Sequence, residues 1–122
     1  MSNQPLPRRV FVDTGAFYAL PASADKNYQA ARLIYVQLAE ARSHLFTSNF
    51  NLDEAYTLIL GRLGYHFAFT FLTQLTSSPT TVIRVTEGDE ARAQEILKTY
   101  DDKRFSYTDA TTFALMDRLN IP

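Results

Sequence analysis

Three acids stand in sequence contexts that set them apart from the other carboxylates of the chain. Asp13 closes the apolar run "VFVD". Glu54 sits in "NFNLDEAYTLIL", where its helical neighbours four residues away are Phe50 and Leu58. Asp109 follows Ser106 and Thr108 in "SYTDATTFALM". A carboxylate at the end of an apolar run is costly unless it has a partner or a task. The neighbours of Glu54 place it on or beside a buried stripe, whereas Asp53 stacks with Asn49 and Thr57 on a wetter face. Asp109 falls in the first turn of a helix that also carries Thr112, Phe113 and Met116.

Brought together, the three acids would repel and raise one another's pKa. A hard divalent cation removes that cost. Mg²⁺ and Mn²⁺ prefer oxygen ligands, keep several waters and commonly hold substrate phosphate. Water activated in this way cleaves phosphodiesters. Each acid also has a local explanation. Asp13 can cap the helix after it, Glu54 can snorkel, and Asp109 can favour its helix dipole by ~0.3–1 kcal/mol. The shared site rests on the coincidence of all three.

Other chemistries fare worse. Asp13-Thr14-Gly15 is also the aspartic protease signature, but that fold is all-β and glycine-rich, and this chain has 4 glycines in 122 residues. The absence of cysteine excludes disulfides, zinc–thiolate sites and a cysteine nucleophile, and two histidines, His44 and His66, make a histidine-rich metal site a poor fit. A phosphate-accepting receiver domain would need an aspartate closing a mid-chain strand and a lysine at a late one, and "TTVIRVTEGDE" offers neither. A net charge of −1 gives no bulk attraction to nucleic acid. Local contacts would fall to Arg8, Arg9, Lys103 and Arg104, whose loops are expected to flank the acids, with plain surface charge an equal reading. Lys26, Arg32 and Arg42 read as a solvated helix face, and His66 as structural.

The elements that position these residues alternate. "RRVFVD" reads as a short buried strand and "TGAFYAL" as a short helix broken by Pro21. Asp25 is the expected cap of a helix over "ADKNYQAARLIYVQLAEAR", with Tyr28, Ala31, Ile34 or Tyr35, and Leu38 inward. "SHLFTS" is a second strand. Ser48 or Asn49 caps "NFNLDEAYTLILGRL", which Gly61 or Gly64 ends or kinks. "YHFAFTFLTQLTSS" follows as a helix whose Tyr65, Phe67, Phe69 and Phe71 suit core or dimer contacts. The β-branched "TTVIRVT" is the clearest strand. Helices over "EGDEARAQEILKTYDD", with Ala91, Ile96 or Leu97 and Tyr100 inward, and over "TDATTFALMDRLN" complete the chain. Short apolar strands alternating with helices imply an α/β fold, a parallel sheet with helices on both faces, in one domain over residues 1–122 with 1–7 a loose lead-in. Sites in such sheets lie beyond the carboxyl ends of the strands, where Asp13 falls. No signal layout or membrane-length apolar run is present, so a soluble, cytoplasmic protein is the expectation.

"VFVDTGAFYAL", "TSNFNLDEAYTLI" and "FSYTDATTFALMDRLNI", with "DKNYQAA" as a first long helix, resemble the PIN domain family, and within it the VapC-type toxin ribonucleases. The resemblance runs from about Val10 to the end and is most specific in the last motif. It implies a three-layer α/β/α sandwich around a parallel sheet, and a Mg²⁺- or Mn²⁺-dependent endoribonuclease that is usually dimeric. Asp13, Glu54 and Asp109 map onto the family's first three acidic positions, as catalytic and metal-binding residues. Thr14, Ser48 and Thr108 fall where family members carry hydroxyl residues near the site. Toxin members are held inactive by a small antitoxin whose tail occupies the active-site groove. The family usually continues into another strand with a fourth acid, whereas these residues stop at Pro122. That departure sustains an alternative, a catalytically weak RNA- or protein-binding module on the same fold.

Overall fold

Strands β1 (Arg9–Phe11), β2 (His44–Ser48) and β3 (Thr81–Ile83) pair in parallel in the order β1-β2-β3. The register sets Arg9 opposite His44 and Phe11 opposite Phe46, then Phe46 opposite Thr81 and Ser48 opposite Ile83. The computed structural model describes residues 6–122, so most of the lead-in expected at residues 1–7 lies outside the described residues. Among the described residues, six helices accompany the sheet: α1 (Thr14–Ala19), α2 (Tyr28–Glu40), α3 (Asn49–Leu63), α4 (Tyr65–Ser77), α5 (Glu87–Thr99) and α6 (Tyr107–Leu119). The α/β architecture with a parallel sheet is the one expected. Among the described residues, the sheet has three strands, and the further strand suggested by the resemblance is not among them. None of the described helices is long and apolar enough to cross a membrane.

Local chemistry sets most boundaries. The Ser48 hydroxyl accepts from the Asn51 N–H and starts α3 where β2 stops. Gly64, at φ +94°, ends α3 and begins the turn into α4, a conformation that a side chain would resist. Reciprocal capping boxes start α5, through Thr86 and Asp89, and α6, through Ser106 and Asp109. Asn120, in the left-handed region, closes α6.

Two apolar clusters carry the packing. Val12, Phe17, Ala55 and Leu75 form the first, joined by Leu45, Leu52 and Phe71. Ala93, Ile96, Ala110 and Ala114 form the second with Leu97, where alanines let α5 and α6 approach closely. The edges of the elements depart from expectation. Helix α2 starts at Tyr28 behind Asn27, not at Asp25, because the Asp25 carboxylate accepts from the Asn27 N–H in a turn instead. Of the residues expected inward on α2, only Leu38 is buried. Ile34 and Tyr35 are exposed, because the helix touches the rest of the chain chiefly along α1. On α5, Ala93 and Ile96 face the core while Ala91 and Tyr100 do not. On α4, Phe71 packs inward and Tyr65, Phe67 and Phe69 lie exposed.

One buried acid braces the second cluster. Asp89 is 3% exposed and receives Arg118 Nε at 2.7 Å and Nη2 at 3.0 Å. The hydrogen-bonded guanidinium holds the Asp89 carboxyl below its usual range, against the opposing effect of burial. A depressed folded pKa contributes stability above the unfolded value and loses it as pH falls through the folded one. Arg118 is half exposed, so solvent screens the pair. Arg118→Met is expected to lower stability at pH 7 by roughly 1–2 kcal/mol. Urea denaturation of parent and variant at pH 7 and below the ordinary aspartate range should show that difference shrinking on acidification.

Candidate active site

Asn51 lies in the first turn of α3 and is 1% exposed. Its position follows from its stripe, since Ala55 and Ile59, four and eight residues on, are fully buried. Its carbonyl oxygen accepts from the Thr14 N–H at 3.2 Å and the Thr14 hydroxyl at 3.1 Å. Its amide nitrogen donates to Ser48 Oγ at 2.8 Å and Thr112 Oγ1 at 2.9 Å. A backbone N–H can only donate, so the contact with Thr14 fixes which way the carboxamide points. Next to it, the buried Thr47 hydroxyl donates to the Val12 carbonyl at 2.8 Å. Asn49 Oδ1 accepts from the Val85 N–H at 2.9 Å. The loops leaving all three strands are therefore tied to the start of α3. Among the described residues, no buried side-chain nitrogen or oxygen is left without a partner.

Each of the three acids stands near a residue of this network along the chain. Asp13 is bonded to Thr14, Glu54 is one turn beyond Asn51, and Asp109 is one turn before Thr112. Residues so spaced on a helix have Cβ atoms about 5–6 Å apart. Asp13 Oδ1 accepts from the Ala16 N–H at 3.0 Å and so caps α1. Asp109 Oδ2 accepts from the Ser106 N–H at 3.1 Å. Both local roles weighed from the sequence are thus real, and each leaves the second carboxylate oxygen outside the cap. Glu54 is exposed rather than part of a buried stripe, and so is Asp53. Phe50 and Leu58 beside Glu54 are only half-buried, so that face borders a hollow rather than the core. The hollow, about 540 Å³, is lined by Phe50, Asp53, Glu54, Thr57, Leu58, Tyr107 and Thr108. Asp13 borders a second hollow of about 550 Å³ between α1 and α2.

Among the described residues, no three Asp, Glu or His side chains converge tightly enough to cage an ion. The donor chemistry nonetheless suits a hard, water-rich cation. The acids supply oxygen only, and among the described residues none of the three is engaged in an ion pair. Mg²⁺ commonly takes one or two carboxylates and fills its shell with water, so a loose arrangement fits it better than Ca²⁺ or zinc.

The remaining expected residues divide. Thr14 and Ser48 join the Asn51 network, and Thr108 lines the hollow with Glu54. Lys103 does not: with Arg8 and Arg9 it borders a separate hollow of about 1040 Å³ beside Phe105 and Phe113. Arg9 donates there to the carbonyls of Leu119 and Asn120, at 2.9 and 2.7 Å. Arg104 is exposed on the loop before α6. Asn51 was not singled out from the sequence, and Thr112 was named only as a neighbour of Asp109 on its helix. The available signal was a polar residue, Asn51, in register with Ala55 and Ile59.

The sequence model of the PIN domain matches residues 10–122. The chain belongs to the PIN domain family. The 23S rRNA-specific endonuclease VapC20 of Mycobacterium tuberculosis is 32% identical over 112 residues, covering 92% of this chain and 83% of the relative, in both the CDC 1551 and the H37Rv strain. The crystal structure of Mycobacterium tuberculosis VapC20, described as a sarcin-ricin loop cleaving toxin, superposes with a TM-score of 0.83 at 32% identity, covering 91% of this chain and 83% of that one.

In this PIN domain, Asn51→Ala strips four hydrogen bonds from buried or half-buried partners. It is expected to cost about 2–4 kcal/mol, read as a lowered urea midpoint with an unchanged slope.

Proposed function

We propose that this PIN domain is a divalent-metal-dependent endoribonuclease and the toxin of a VapBC-type toxin–antitoxin pair. The observation that carries the reading is the placement of three acids on elements that Asn51 ties together, Asp13 capping α1, Glu54 in α3 and Asp109 in α6, in a chain similar to an endonuclease of known RNA target class. Asp13, Glu54 and Asp109 would hold Mg²⁺ or Mn²⁺. Bound there, the ion would lower the pKa of water and neutralise charge on the scissile phosphate.

The chain's own residues do the rest. Backbone N–H groups pin one oxygen each of Asp13 and Asp109 and leave the other oxygen of each available to an ion. Glu54, on the hollow's wall, would complete the ligand set or orient the attacking water, whose oxygen bonds to phosphorus as the bond to the leaving oxygen breaks and that oxygen takes up a proton from solvent. Thr14 and Ser48 orient Asn51, which holds the head of α1 and the second turn of α6 against α3. Thr108 borders the substrate hollow, and Lys103 and Arg104 meet RNA phosphates beyond the cleaved one. A small antitoxin covers the acids until released. The exposed Leu33, Ile34 and Val36 on α2 and Phe67 and Phe69 on α4 are consistent with a homodimer. The setting of such a pair is the cytoplasm.

One observation favours a second reading. The acids do not close into a three-carboxylate cage among the described residues, which suits a catalytically weak RNA- or protein-binding module. Calorimetric titration with Mn²⁺ separates the two, since neither heat nor thermal stabilisation at millimolar metal would favour the module. For the enzyme, Asp13→Asn and Asp109→Asn are each expected to cut Mn²⁺-dependent RNA cleavage roughly 100-fold or more. Chelation should abolish cleavage by the parent. Cleavage by the variants at the parent's rate would assign the activity elsewhere.

A further inference from the structure

Tyr107 opens α6, is 39% exposed, and shares the hollow with Glu54 and Thr108. Exposed tyrosines are ordinarily free to turn. This one is held at both ends. Its hydroxyl donates to Glu90 Oε1 at 3.0 Å and accepts from Gln94 Nε2 at 3.2 Å, both on α5. Its ring lies 6.3 Å from that of Phe50, tilted by 31°. The hydroxyl's donor and one acceptor site are thus occupied within the chain, and the group still open to a ligand is the ring face. A pre-oriented aromatic face beside carboxylates suits a flat, apolar-faced ligand and saves the ordering cost of binding it.

We propose that Tyr107, backed by Phe50, is a stacking platform for a nucleobase next to the bond that is cut, and that Glu90 and Gln94 are positioning residues for its ring. The inference rests on the ribonuclease reading and adds how the substrate is held. Stacking uses a face that every base has, so the platform selects single-stranded RNA with splayed bases over a continuous duplex, with little preference among bases.

The test is the Mn²⁺-dependent cleavage of a single-stranded RNA oligonucleotide by the full chain. Tyr107→Leu is expected to lower kcat/KM about tenfold, mostly through KM, while Tyr107→Phe, which keeps the ring but loses its bonds to Glu90 and Gln94, is expected to lower it by a smaller factor, at least that of Glu90→Leu. An abasic nucleotide beside the cleaved bond should bring the parent down to the Tyr107→Leu variant. Glu90→Leu should raise KM by a smaller factor, and Glu90→Gln, which keeps an acceptor for the phenol, should restore it. Thermal melts of each variant confirm the fold. If the parent cuts RNA and Tyr107→Leu cuts it with the same KM, the platform is overturned and the ribonuclease reading stands. If the parent cuts no RNA, the ribonuclease reading falls and the platform with it.

Discussion

The carboxamide of Asn51 is the constraint on which the candidate site depends. Four hydrogen bonds converge on one buried group: two from Thr14 at the head of α1, one to Ser48 at the end of β2, and one to Thr112 inside α6. An amide buried without partners costs several kcal/mol, so each of these neighbours must stay in reach for the fold to be worth forming. Because a buried network is costly when half satisfied, it specifies one arrangement of three helices rather than a family of them. No apolar residue at position 51 could do this, since packing alone tolerates small slides that hydrogen bonds do not.

A neutral amide at the centre lets the charges sit outside it. Asp13, Glu54 and Asp109 are exposed, and the two aspartates are steadied by backbone N–H groups at helix starts rather than by cations. The buried acid of the chain, Asp89, shows the contrast. It is paired to Arg118, and its charge is spent on holding α5 to α6. A carboxylate so neutralised has little left to offer a metal ion or a phosphodiester. The contrast is physical: exposed carboxylates need no cationic partner within the chain and would be open to an external one, while an acid that must survive burial is given an arginine.

The parts of this structure legible in the sequence are the parts decided within a few residues. Ser48 and Gly64 mark helix ends through chemistry that acts over one turn, and the β-branched run around β3 and the alternation of elements point to the parallel sheet. What escaped was decided by partners far away. Thr112 is 61 residues from Asn51, and each alone reads as an ordinary polar helix residue. Glu54 was expected beside a buried stripe because stacking along one helix says which residues share a face, not what lies opposite that face. Here it is an open hollow. The basic residues show the same limit. Lys103 stands six residues before Asp109, yet the loop carries it to the hollow of Arg8 and Arg9.

The network also places the acids on a seam. Asn51 belongs to α3, whose Ala55 sits in the cluster with Val12 and Phe17, while Thr112 belongs to α6, whose Ala110 and Ala114 sit in the other cluster. Asp13 and Glu54 therefore stand on elements of the first cluster and Asp109 on an element of the second. Their spacing is set by how the two dock, and a hydrogen bond of 2.9 Å between Asn51 and Thr112 spans the join. A site built across two packed bodies gains precision only when both are well formed, so changes far from the acids, at Asp89 or Ala114, bear on the position of Asp109. The join is a buried amide with all its bonds made, which tolerates little sliding, so the docking of the two clusters fixes how far Asp109 stands from Asp13 and Glu54.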